Sequence, residues 1–198
     1  MKFVIVLGLL LMCSYVLYNI FVGQGRKEIY NPNPSKELPE KTSTTIKIES
    51  SAFTQDGTIP RREFTCDGVN GHPPVSFLDV PADAKSLVLI VEDPDVPKDI
   101  RPDGMFDHWI VFNILASVKS IEMGIDVPGT PGLNGRGKPG YTGPCPPDKE
   151  HRYFFKLFAL DALLDLPENS DKTAILDAMK GHIVDEAQLI GRYARAAK

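Results

Sequence analysis

The run SLVLIVEDPDVP, Ser86 to Pro97, decides how the rest of the chain is read. Five apolar residues, Leu87 to Val91, stop abruptly at three acids and two prolines. An apolar run without polar alternation reads as a strand covered on both faces. The spacing therefore predicts a central strand over Ser86–Glu92. The prolines fix the backbone where it leaves the sheet. The acids that follow are either a solubilising turn or the rim of a binding site.

Working outward, Thr45–Glu49 alternates apolar and polar, which predicts a strand. Val75–Val80, Trp109–Ile114 and Tyr153–Leu160 predict three more, and Arg62–Cys66 another. Asp67-Gly68 and Asn70-Gly71 are turn dipeptides. Helical signals come only near the end. Ser170 or Asp171 can cap a helix over Lys172–Lys180, with Ile175, Leu176 and Met179 on one face. Gly181 breaks it, and Ile183, Ala187 and Ile190 predict a second helix. Strands first and helices last give a mainly β chain with C-terminal α, an α+β arrangement with helices at one end of an antiparallel sheet.

The chain has 198 residues and a net charge of −4. Lys2, Arg26 and Lys27 against Glu28 make residues 1–30 net positive, so the remainder is more acidic than the whole. That excludes nucleic-acid binding through a basic field. Phe3–Val22 holds twenty residues without a charge, about 30 Å as a helix and enough to span a bilayer core. With no small-x-small cleavage site, residues 1–23 read as a signal anchor in preference to a signal peptide. Residues 24–45, with Pro32, Pro34 and Pro39 among Lys and Glu, read as a tether. Residues 46–198 form the domain, expected outside the cytoplasm and close to the membrane.

Gly129–Gly143 contains both G-x-G-x-x-G (Gly135, Gly137, Gly140) and G-x-x-x-x-G-K (Gly132, Gly137, Lys138). A phosphate loop needs a helix immediately after it. Pro139, Pro144, Pro146 and Pro147 forbid one, so the stretch reads as a surface loop. Asp93-Pro94-Asp95 fails the calcium-loop spacing at Pro97. Neither a C-x-x-C pair nor G-x-S-x-G is present, so no metal, cofactor or activated nucleophile is indicated. Cys66 and Cys145 are either a disulfide or two buried thiols. What remains is three strand ends carrying Asp93, His108 and His151. Converged at one rim, they suit a phosphate or carboxylate group. One of Glu92 and Asp95 is expected to solvate the turn.

Several separate blocks then carry a resemblance. DPDVP at 93–97, HWIVFNI at 108–114 and GPCPPDKEHRYFFKLFALD at 143–161 resemble the phosphatidylethanolamine-binding protein family, also called Raf kinase inhibitor proteins. Cys66-Asp67-Gly68, Pro73-Pro74 and AMKGHIVDEAQLIGRY at 178–193 resemble its bacterial branch. The resemblance covers residues 46–198. It implies a large central antiparallel sheet packed on a smaller one, and a small anion pocket for phosphate, phospholipid headgroups or phosphorylated groups. The pocket maps onto Asp93, His108, His151 and Tyr153, with Asp95, Pro97, Gly143 and Pro144 lining or shaping it. His108 and His151 would donate to the anion, and Asp93 would contact one of them. Arg152 is expected to point away, and His182 to cap or pack. Gly71-His72 and Phe77 depart from the branch's Ser-Pro-Pro and Trp, and Lys98–Phe106 reads as an insert beside the pocket. The functional expectation is a membrane-tethered binding domain. The alternatives are a kinase or protease inhibitor acting through surface loops, and, last, a hydrolase using a pocket histidine.

Overall fold

The computed structural model describes residues 45–195. The anchor at 1–23 and all but Thr45 of the tether lie outside the described residues. Among those described, no helix is long and apolar enough to cross a membrane.

The described chain runs β1 (Lys47–Glu49), β2 (Gly57–Thr58), α1 (Arg61–Phe64), β3 (Val75–Leu78), β4 (Ser86–Asp93), β5 (Phe106–Leu115), β6 (Ser120–Ile121), β7 (Thr130–Pro131), β8 (His151–Leu160), α2 (Lys172–Met179) and β9 (Ile183–Tyr193). A six-stranded sheet has the order β2-β9-β8-β4-β5-β7, and a three-stranded sheet the order β1-β3-β6. All pairings are antiparallel except β2 with β9. The fold is mainly β with one C-terminal helix.

Strand β4 shows why its sequence lacks alternation. Leu87, Leu89 and Val91 face the smaller sheet, in a core with Phe77, Trp109 and Phe155. Val88 and Ile90 face the opposite way, against Ile110, Phe112, Ile175 and Met179. All five apolar β4 side chains are at most 1% exposed. At about 1.5–3 kcal/mol each, their burial outweighs any local preference and fixes the strand at the sheet centre. Helix α2 covers the second core. Asp171 caps it by accepting from the Ala174 N–H at 2.8 Å. Leu176, expected on the packed face, is turned outward instead.

Two expected elements differ. The second helix is the strand β9, which pairs with β8 from His151↔Tyr193 to Leu160↔Ile183. Without it, β8 would leave a row of backbone groups unpaired, and that ladder overrides the helical spacing of Ile183, Ala187 and Ile190. Gly191 carries the strand signal. A Cβ there would meet Ile59 Cγ1 at 2.6 Å and Phe53 at 2.8 Å, so the backbone approaches more closely than a side chain allows. The expected strand at Arg62–Cys66 is the single turn α1. Pro60 precedes it, with the fixed φ that suits a helix entrance, and the Thr65 hydroxyl donates to the Arg61 carbonyl.

Candidate functional site

The strand order brings the three predicted ends together. In β8-β4-β5, both neighbours of β4 are antiparallel to it. The exit of β4 therefore lies between the entries of β5 and β8. Asp93 ends β4, His151 begins β8, and His108 is the third residue of β5. A β-bulge aims His108. Val91 pairs with Trp109 but Glu92 pairs with Asp107, which leaves His108 as the extra residue. A bulge breaks the in-out alternation. His108 thus shares the inter-sheet side with Trp109, and its ring lies edge-on to Tyr153 with centroids 5.1 Å apart.

Asp93 contacts His151 directly, with Oδ2 2.7 Å from Nδ1, and stands 4.0 Å from His108 Nε2. His151 is fully buried, and its Nε2 meets Asp148 Oδ1 at 2.8 Å. Both contacts are hydrogen bonds only if two protons lie along Asp93–His151–Asp148. Either the ring is an imidazolium donating from both nitrogens, or one carboxyl group holds a proton. Burial pushes the Asp93 carboxyl above its ordinary range, against the pull of His151 and of the Asp95 N–H. The Asp148 carboxyl is held below its ordinary range by its bond to His151.

His108 differs in kind. Its Nδ1 meets the carbonyl of Thr142, which only accepts, so Nδ1 carries the proton. Burial lowers its pKa to about 4, against the Thr142 bond, and its neighbours Arg136 and His151 add to the lowering. Near neutral pH the ring is uncharged and Nε2 is a bare acceptor. Neither histidine, as placed among the described residues, offers the cavity a free N–H. The expected pair of donors is therefore one acceptor and one donor already occupied.

The cavity beside these groups measures about 360 Å3. Val96, Ile100, Phe106 and Pro146 give it an apolar wall, and Arg101 and Arg136 stand at its rim. The Arg101 guanidinium lies over the Phe106 ring at 5.4 Å and donates to the Gly135 carbonyl. Gly143 lines the cavity, and its N–H donates to Asn70 Oδ1 at 2.7 Å. A Cβ on Gly143 would stand 2.5 Å from the Phe64 carbonyl oxygen. Pro144 shapes the wall from behind, its carbonyl accepting from the Cys66 N–H. Cys66 and Cys145 form a disulfide, with Cys145 on the cavity wall.

The remaining predicted residues support the rim without facing the cavity. Asp95 receives both Arg152 guanidinium arms at 2.7 and 2.8 Å and the Arg152 N–H at 3.0 Å, which ties the acidic turn to β8. The Pro97 carbonyl accepts from the N–H groups of Ile100 and Arg101. The Tyr153 hydroxyl is buried with no partner among the described residues, behind His108. Glu92 is not a solvating acid: it is buried on the opposite face of the sheet between Lys156 and Lys172. Nor is Asp95, which is taken up by Arg152. The His182 side chain does not pack inside but pairs with Asp161 at the surface, while its backbone N–H donates to the Met179 carbonyl at the end of α2.

A family model described as phosphatidylethanolamine-binding protein matches residues 49–194. The chain belongs to the phosphatidylethanolamine-binding protein family. A UPF0098 protein of Chlamydia pneumoniae is 48% identical over 151 residues, covering 76% of this chain and all of that one. A UPF0098 protein of Methanothermobacter thermautotrophicus is 44% identical over 156 residues, 76% of this chain and 99% of that one. Among solved structures, a phosphatidylethanolamine-binding protein homologue from Chlamydia trachomatis is 46% identical with a TM-score of 0.76, covering 78% of this chain and all of that one. YbcL of E. coli, a member of the same family, is 26% identical with a TM-score of 0.68, covering 77% and 100%.

In this phosphatidylethanolamine-binding protein family member, the residues that sequence reasoning missed lie on two loops and at the first residue of β5. Arg136 and Thr142 belong to the glycine-rich stretch read as surface loop. Its backbone is strapped to β5 through Gly135 N–H to Asp107 and Thr142 N–H to His108, which brings both residues to the rim. Arg101, Ile100 and Phe106 come from the insert at Lys98–Phe106. Asp148 lies just three residues before His151. Its carboxylate was a signal available in the sequence, read there only as part of the family block.

Proposed function

We propose that the cavity receives the phosphoryl group of phosphate, a phospholipid headgroup or another phosphorylated ligand, and that the protein acts by binding. One observation carries this: two arginines, Arg101 and Arg136, line a concavity of about 360 Å3 together with His108 and His151. Arginine presents forked donors that match phosphate oxygens, and a concave wall of low polarity strengthens their field. Cys145 is in the disulfide, and the Thr142 hydroxyl takes its hydrogen bond from the Asn134 amide, which is no base. Binding therefore fits the site better than catalysis.

The tethered arrangement is part of the same proposal. Phe3–Val22 would hold the domain at the outer face of a membrane. The Cys66–Cys145 bond supports an oxidising compartment. Inorganic phosphate titrated into the protein should shift the ring resonances of His151 and His108 and should bind saturably by calorimetry. Arg136→Glu should abolish that binding. Histidine resonances unmoved by millimolar phosphate would sink the assignment.

A further inference from the structure

We propose that Asp148 occupies the ligand's own position on His151, and that this makes the site selective for phosphate monoesters over phosphodiesters. The inference rests on the reading of the cavity as a phosphate site.

His151 Nδ1 is committed to Asp93 at 2.7 Å, so Nε2 is the ring atom left for a ligand. Asp148 Oδ1 already sits there at 2.8 Å. The two ends of that contact differ in kind. The His151 side chain is wholly buried, whereas that of Asp148 is 44% exposed, on the exposed segment 147–150. A carboxylate reaching in from an exposed loop can swing out to water and keep its solvation; the imidazole cannot follow. Asp148 itself is not part of the cavity lining, but its neighbour Pro147 and its partner His151 are, so an anion arriving through the cavity would meet His151 once Asp148 swings out.

Exchange selects by charge. A phosphodiester carries one negative charge, as Asp148 does, so replacing one by the other adds no attraction at Nε2. A phosphate monoester carries about −1.5 to −2 near neutral pH. Both esters meet Arg101 and Arg136 on entering the cavity, but only the monoester brings charge beyond the one that Asp148 gives up. His108 adds a second filter that does not depend on Asp148. Its Nδ1–H is spent on Thr142, so Nε2 faces Asp93 and the cavity as a lone pair. The monoester's monoanion, whose single charge gives it no advantage over a diester, has a P–OH to donate to that nitrogen, so each of its two protonation states meets one filter. A diester has none.

The test uses the full-length chain in mild detergent and calorimetric titration with inorganic phosphate, O-phosphoethanolamine and glycerophosphoethanolamine. The last two carry the same amine and differ in ester class. Wild type should prefer O-phosphoethanolamine over glycerophosphoethanolamine about tenfold, the scale of one charge-assisted hydrogen bond. Asp148→Ala should bind phosphate about fivefold more tightly, the scale of one partly exposed ion pair, and should narrow the ester preference. Asp148→Asn, which keeps the volume and removes the charge, should move the same way; thermal unfolding checks that both variants are folded. Phosphate affinity unchanged or weakened in folded Asp148 variants overturns the proposal, as does equal wild-type affinity for the two esters. Absence of phosphate binding by wild type and variants alike overturns the phosphate reading itself, and this inference with it.

Discussion

His108 should make the protein acid-labile in a window where its carboxylates do not. In the unfolded chain its imidazole titrates at its ordinary value of 6.5; in the fold, burial holds it down to about 4. A group whose folded pKa is depressed adds no penalty above the unfolded value. As pH falls from 6.5 towards about 4, the unfolded chain takes up a proton that the folded chain refuses, and stability drops. Below about 4 both states are protonated and the loss levels off. The gap between 6.5 and about 4, at about 1.4 kcal/mol per pH unit, gives a loss of about 3 kcal/mol. Glu92, Asp95 and Asp148 all have lowered pKa values, so their contributions are lost only below the ordinary carboxylate range. Asp93, raised by burial, acts with the opposite sign. His108→Phe isolates the effect, because an aromatic ring fits between Phe106 and Tyr153 without titrating. The variant should start less stable at neutral pH, since Thr142 loses its donor. The gap between wild type and variant should then shrink by about 3 kcal/mol from about pH 7 to about pH 4. Urea unfolding at a series of pH values measures it, and an imidazole nitrogen spectrum should show the proton on Nδ1. A gap that stays constant across the window would refute the reasoning.

Two further expectations follow from the cavity wall. Gly143→Ala should destabilise the fold by about 2–3 kcal/mol, because its Cβ meets backbone at the Phe64 carbonyl and at Thr65 Cα, neither of which can rotate away; denaturant unfolding measures this, and a neutral result would show that the loop is free to shift. Reduction of Cys66–Cys145, which are 79 residues apart, should lower stability by about 4 kcal/mol on the loop-entropy model and weaken phosphate binding, since Cys145 is on the wall; unfolding with and without reductant tests the first and titration the second.

The sheet core was legible because burial on both faces leaves an unbroken apolar run, as in Leu87–Val91 and Trp109–Phe112. The convergence of Asp93, His108 and His151 was legible because antiparallel neighbours bring their strand ends to one rim. The state of the histidines was not legible. Whether His108 donates depends on the carbonyl of Thr142, a backbone group 34 residues away that no side-chain pattern announces. The place of Arg136 on the cavity wall was hidden for the same reason: a loop of glycines shows freedom in sequence, while its actual path is set by backbone bonds to β5. At the C-terminus the error was one of period. Ile183, Ala187 and Ile190 suit a helix as spacing, but the unpaired edge of β8 decides, and an edge is a property of the sheet.

Strand β5 holds two bulges. One leaves His108 unpaired. The other falls at Asn113, whose φ of +54° carries the chain through the left-handed region and whose side chain is bonded to the backbone of Leu164. Between them run Trp109 to Phe112, alternating strictly between the two cores. The strand therefore has a reading frame. Losing or gaining one residue there would turn every side chain beyond it to the wrong layer, whatever its identity. The exposed turn at Lys98–Asp103 has no such frame. An insertion in the cavity's outer lip should therefore leave the sheet intact, while one residue added or removed between His108 and Asn113 should not.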